Sequence, residues 1–176
     1  MSLRSAIVTE TDRLCLRAFE QADFERLYAM FNDPLVMRYY VGLKDRDATQ
    51  GWLERAWRSY EEHGYGLWAV ERKDTEEFLG QCGLTAVSID GRSEIEVGYM
   101  FQSDCWGHGY ATEAAAACRD LAFTAFGAES VISLIRPENL ASRRVAQRLG
   151  FEIERETTYV GLRHLVYRGG NRAGPV

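Results

Sequence analysis

A glycine-bearing loop and a pair of carboxylates are the parts of this chain whose types and spacing could do chemistry. Between Gln102 and Glu113 an extended apolar segment runs into a loop containing Gly107 and Gly109, and the loop opens directly into an alanine-rich helical stretch. The two glycines let the backbone take positive φ and come close to a ligand. The first turn of the following helix has N–H groups with no partner of their own, and they point into the loop. Together these features make an anion site of the kind that holds a pyrophosphate. The loop is not a Walker P-loop, because no Gly-Lys-Ser/Thr follows, and it lacks the three-glycine dinucleotide spacing. On composition alone it reads equally well as a plain tight turn. Glu94 and Glu96 stand on the segment leading into this loop, and at i and i+2 they share one face of a strand. A carboxylate there could take a proton directly or through one water; a solvated strand face is the alternative.

Other reactive side chains point elsewhere. His108 lies at a helix N-terminus, where the dipole disfavours its cation, so its backbone amide is the useful part. Cys105 precedes the loop but has no histidine–acid pattern to activate it. Cys15, Cys82, Cys105 and Cys118 are widely spaced, form no C-x-x-C pair, and read as small apolar side chains. His63 and His164 have no spaced partner ligands, so no metal is expected.

The elements that must position these residues follow from hydrophobic periodicity. Leu14 and Leu16 alternate with polar neighbours in a strand from Thr11 to Arg17. Phe24, Leu27, Tyr28 and Phe31 form a helical stripe stopped by Asn32-Asp33-Pro34. A second stripe, Trp52 to Tyr60, ends near Gly64, and its Trp57 and Tyr60 are expected in the core. Strands follow at 67–71, 78–88 and 94–101, the last two joined across Asp90-Gly91, a hairpin dipeptide. A helix runs from Thr112 to Phe126 and closes at Gly127. An interior strand at 131–135, a helix at 139–149, and strands at 151–157 and 164–167 complete the order β-α-α-β-β-β-α-β-α-β-β, a mixed α/β layer fold.

Composition narrows the function classes. The chain has 176 residues, 46% of them hydrophobic and 27% charged, which excludes a disordered or low-complexity protein. No repeat or linker divides it, so one domain is expected over 1–176, with 169–176 a flexible glycine-rich tail. No run approaches ~18 apolar residues, and the N-terminus lacks the apolar core of a signal peptide, so no membrane partner and a cytoplasmic protein are expected. Net charge is −5, the lysines are Lys44 and Lys73 alone, and no basic block occurs. Nucleic-acid binding is therefore set aside, and a cationic partner is more compatible.

The run from Trp106 to Ala114 resembles the acyl-CoA pyrophosphate loop of the GNAT superfamily of N-acetyltransferases, and is most similar to its RimJ/RimL-type branch. The stretch Thr11 to Arg17 followed by Asp33-Pro34 resembles that branch's opening strand and helix. Asn139, Ser142, Ala146 and Gly150-Phe151 have the spacing of its second cofactor motif. The resemblance spans roughly residues 10–167. It implies a GNAT-type α/β (α+β) fold: a mixed, mostly antiparallel sheet of about seven strands flanked by helices and splayed between the fourth and fifth strands, 94–101 and 131–135.

The resemblance also implies roles. Acetyl-CoA would be the cosubstrate, its pyrophosphate on the amides of Gly107, His108, Gly109, Tyr110, Ala111 and Thr112. Met100 and Phe101 would pair with the pantetheine arm, and Asn139 would contact the cofactor nearby. Glu96 stands where the family often carries its strand glutamate and is preferred over Glu94 as base. Many relatives protonate the leaving thiolate with a tyrosine at the position of Ala146, which cannot donate; Ser142, where this branch often has serine, is the residue left for sulfur or cofactor. Tyr39, Tyr40 and Trp52 would wall the acceptor pocket and the 164–167 strand would close it, with Arg163 where relatives often have an acid.

The acceptor would be an amine. A lysine-like amine is about 0.04% neutral at pH 7, whereas an α-amine is roughly 10–17% neutral and asks less of a base. A protein or peptide N-terminus is thus the favoured acceptor. A polyamine, aminoglycoside or other small amine is the close rival, and a non-catalytic acyl-CoA-binding module the third reading. A monomer or homodimer is expected.

Overall fold

The structure, a computed structural model, describes residues 6–171. The chain opens with strands β1 (Ile7–Glu10) and β2 (Leu14–Arg17) and helices α1 (Phe24–Phe31), α2 (Pro34–Met37) and α3 (Arg46–His63). It continues through β3 (Leu67–Arg72), β4 (Phe78–Ile89), β5 (Arg92–Phe101), α4 (Tyr110–Thr124), β6 (Ser130–Ile135), α5 (Leu140–Arg148), β7 (Glu152–Tyr159) and β8 (Leu162–Gly170). The strands form one eight-stranded sheet in the order β1-β2-β3-β4-β5-β6-β8-β7. Neighbours are antiparallel except β5 and β6.

Three features depart from the sequence expectation. An eighth strand, β1, precedes the seven expected, and residues 11–13 form its turn to β2, closed by Thr11 N donating to Leu14 O at 2.9 Å. Pro34 stops α1 but also starts α2: Asp33 Oδ1 accepts from Leu35 N at 2.8 Å, and proline at the first helical position lacks only an N–H that would be unpaired anyway. Gly169 and Gly170 belong to β8 rather than to a tail, with Gly169 opposite Val131. A Cβ on Gly169 would lie 2.2 Å from the Phe151 ring, so glycine there is a packing residue. The rest of the expected tail, 172–176, and the N-terminal residues 1–5 lie outside the described residues.

The sheet separates two cores. On one face α4 sets Ala114, Ala115, Cys118 and Ala122, and α5 sets Val145 and Ala146, against Leu14, Trp68, Leu84 and Val97. On the other face α1 to α3 bring Leu27, Phe31, Met37, Leu53 and Ala56 to Phe19, Phe78 and Met100. Trp57 and Tyr60 pack here as expected: Trp57 Nε1 donates to Phe19 O at 2.8 Å, and the Tyr60 hydroxyl donates to Leu67 O. Among the described residues, no helix is long and apolar enough to cross a membrane.

What positions the site is a defect in the ladder. β5 pairs with β4 along its whole length, from Gly80↔Phe101 to Ile89↔Arg92. β5 and β6 meet in parallel at one pair, Glu96↔Ile132, and then diverge. Side chains span the gap: Ser133 Oγ donates to Val97 O at 2.8 Å, and Leu134 N donates to Glu96 Oε1 at 3.4 Å. This is the splay expected between strands 94–101 and 131–135.

Candidate active site

The loop after β5 is held open by its own turns. Gly107 and Gly109 have φ of 82° and 81°, in the left-handed region that favours glycine. Gly109 caps α4 without a side chain to offer, and the first helical bond is Glu113 N to Gly109 O at 3.1 Å. The amides of Tyr110, Ala111 and Thr112 therefore have no partner within the helix. Thr112 Oγ1 is buried with no hydrogen bond. Trp106 Nε1 donates to Phe101 O at 2.9 Å, which turns the chain out of the strand and occupies that carbonyl.

A clamp from the β1–β2 turn fixes the loop. Glu113 accepts from Thr11 Oγ1 at 2.5 Å, from Arg13 N at 3.0 Å and from Arg13 Nε at 2.7 Å. Arg13 Nη1 donates to His108 O at 3.0 Å, and the guanidinium lies 4.7 Å from the centre of the Tyr110 ring. Burial pushes the Glu113 carboxyl up, but the bonds from Thr11 and Arg13 outweigh it and hold it below the usual range.

Two cavities meet at the gap. The first, about 370 Å³, runs between the loop and α5, and its lining includes Met100, Phe101, Gly107, Gly109, Tyr110, Ala111, Thr112, Asn139 and Ser142. His108 is the one loop residue expected at the site that does not line it. The second, about 220 Å³, is lined by Glu96, Leu134, Arg136, Tyr159, Val160 and His164, among others. Tyr39, Tyr40, Tyr99, Asn139 and Ser142 line both.

Glu96 and Glu94 are told apart. Glu96 faces the second cavity, where burial pushes its pKa up to about 7 while the Leu134 amide pulls it back slightly. Glu94 forms a two-pronged ion pair with Arg168, at 2.6 and 3.0 Å, away from both cavities. Tyr40 is 47% exposed as a residue, yet burial around its hydroxyl together with the Glu96 charge raises its pKa to about 12. Tyr99 is likewise raised by burial, and its hydroxyl donates to Ser142 O at 2.8 Å. Asn139 Oδ1 accepts from Ser142 N at 3.1 Å and so caps α5, placing Ser142 on the wall between the cavities. Ala146 is fully buried in the first core.

Trp52 and Arg163 depart from expectation. Trp52 does not wall the cavity; it packs edge-on against Phe19 and Phe31, with ring centres 5.2 and 5.3 Å away. Arg163 pairs with Glu156 at 2.6 Å, outside the cavity. Cys105, expected to lack activation, has its Sγ donating to Gln102 O at 3.0 Å, and burial raises its pKa to about 11, which disfavours the thiolate. His164, on the strand expected to close the pocket, lines the second cavity: its Nδ1 lies 2.9 Å from Leu162 O, and burial lowers its pKa. Arg136, Tyr159 and Val160 were missed; the signal was Val160-Gly161, a turn dipeptide disguised by its valine.

The sequence matches the Acetyltransferase (GNAT) domain family over residues 13–152. YkkB of Bacillus subtilis (strain 168), described as an uncharacterized protein, is 45% identical over 153 residues, 85% of this chain and 87% of the relative. Further Bacillus relatives are described as uncharacterized N-acetyltransferases. Among solved structures, an acetyltransferase from Agrobacterium tumefaciens str. C58 superposes with a TM-score of 0.83 at 28% identity, covering 95% of this chain and 96% of that one. RimL, a ribosomal L7/L12 alpha-N-protein acetyltransferase solved with coenzyme A, shares the fold at a TM-score of 0.80 and 16% identity, over 96% of this chain and 100% of its own. The domain match spans most of the chain and the fold agrees with it, so the protein belongs to the GNAT family of N-acetyltransferases.

Proposed function

We propose that this N-acetyltransferase passes the acetyl group of acetyl-CoA to an α-amine, the N-terminus of a peptide or protein. The observation that carries this choice of acceptor is the lining of the second cavity, in which Glu96 is the single carboxylate among the described residues and Arg136 is a cation. A polyamine or aminoglycoside would bring several positive charges to one carboxylate and a guanidinium, an unfavourable match. A single amine suits the cavity. An α-amine also needs a base of only modest strength, and a carboxyl with a pKa of about 7 is close to the ideal for work near neutral pH.

Acetyl-CoA, when bound, supplies an activated acetyl thioester. The unpaired amides of Tyr110, Ala111 and Thr112, with those of Gly107, His108 and Gly109, are the donors for its pyrophosphate, aided by the positive end of α4. Thr112 Oγ1 fits the same role, because a buried hydroxyl without a partner is costly unless a ligand uses it. Trp106 already holds the Phe101 carbonyl, so Met100 and Tyr99 carry more of the backbone edge offered to the pantetheine arm. Asn139 spends its oxygen on the helix cap and keeps its amide N–H groups for the arm. Glu96 takes the proton of the amine at its carboxylate. Ser142 Oγ, on the wall common to both cavities, hydrogen-bonds the leaving sulfur. Holding both reactants across one gap supplies much of the remaining acceleration.

The test is thiol release from acetyl-CoA with free-N-terminus peptides, N-blocked peptides bearing lysine, polyamines and aminoglycosides. Turnover confined to free α-amines is expected. Turnover confined to polyamines or aminoglycosides would reassign the acceptor.

A further inference from the structure

Two hairpins in this sheet have the same two-residue turn and opposite turn chemistry. Between β4 and β5 the central residues are Asp90 and Gly91, with φ of 50° and 74°. Between β7 and β8 they are Val160 and Gly161, with φ of 47° and 75°. Aspartate and asparagine reach positive φ readily, and Asx-Gly is the favoured sequence for such turns. A β-branched residue is crowded there and is rarely found. Burial offers no compensation, because Val160 is 64% exposed. The fold alone would be better served by asparagine. A strained residue left in solvent points to a use outside folding.

The surroundings indicate what that use is. Val160 lines the cavity that holds Glu96, and Val41, 72% exposed on the segment after α2, lines the same cavity. Two exposed valines thus belong to the wall of the space an acceptor amine must enter. We propose that Val160 is a specificity-determining residue which, with Val41, grips an apolar side chain of the acceptor. The preferred acceptor is then a peptide with an apolar residue at its first or second position. This rests on the α-amine reading above.

The test uses free-N-terminus tetrapeptides with Leu, Ser, Lys or Glu at position 1 or 2, acetylated by wild type, V160N and V41S. For wild type, kcat/KM is expected to be about tenfold higher with Leu than with Lys or Glu, the size of one good apolar contact. V160N is expected to raise the thermal midpoint by about 2–6 °C, by relieving strain. The same variant is expected to cut the Leu preference to about threefold or less, mainly through KM. V41S is expected to weaken that preference without moving the midpoint. A V160N enzyme that is more stable yet keeps the full preference overturns the proposal, as does a wild type without it. Turnover of peptides without preference defeats this proposal alone; no turnover of any peptide defeats the α-amine reading and this proposal with it.

Discussion

Glu96 is harder to ionise than an ordinary carboxyl because of its surroundings. Its carboxyl sits in the gap between β5 and β6, where lost hydration outweighs the one amide bond from Leu134 and raises the pKa from 4.5 to about 7. A carboxyl with a raised folded pKa keeps its full contribution to stability below the unfolded pKa and loses it as pH rises through the folded value. Glu96→Gln is therefore expected to melt several degrees above wild type at pH 8 and level with it near pH 4. Thermal unfolding at the two pH values checks this, and an equal difference at both contradicts it. The Glu94/Glu96 pair was visible in the sequence as two carboxylates on one strand face. The resemblance preferred Glu96, but the physical reason Glu94 is occupied was not visible: it is Arg168, a partner 74 residues from Glu94 that no local pattern announces.

At the scale of elements, the loop and α4 form a local unit, and local units are what sequence shows well. The glycine spacing, the alanine-rich helix and its uncapped start all lie between Gly107 and Thr124. What holds the unit in place is not local: Thr11 and Arg13 reach Glu113 across 102 and 100 residues. Arg13→Ala is expected to weaken coenzyme A binding by roughly three- to tenfold and to lower the thermal midpoint, because the His108 carbonyl and Glu113 lose their anchor. Arg13 is half-exposed, so the charge part of this effect should shrink with added salt. Calorimetric titration with coenzyme A measures it, and unchanged affinity would remove Arg13 from the account. The β7–β8 turn shows the opposite case. Its valine hid a two-residue hairpin, since turn chemistry is read from asparagine, aspartate and glycine. Trp52 misled in another way, as a helical stripe tells which residues share a face but not which neighbour covers it.

For the whole molecule, the defining feature is a sheet whose ladder opens between β5 and β6. Seven strands, their succession along the chain and the splay were legible from periodicity and the family resemblance. β1 was not, because four residues next to a terminus carry too little pattern to stand as a strand. Helices on both faces then make two different spaces, a long groove beside the loop and a smaller chamber behind Glu96, joined where β5 and β6 part. In the proposed function the acyl donor lies in the groove, the amine in the chamber, and the two meet there. The measurement that bears most directly on this arrangement is the pH dependence of acetyl transfer to a free-N-terminus peptide, from pH 5.5 to 9, in wild type and Glu96→Gln. Wild-type kcat should rise through an ionisation near 7, and the variant should lose about a hundredfold and the ionisation with it, while still binding coenzyme A. A variant that keeps the wild-type rate and the same rise would show that Glu96 is not the base and that the chamber it lines does not hold the reacting amine.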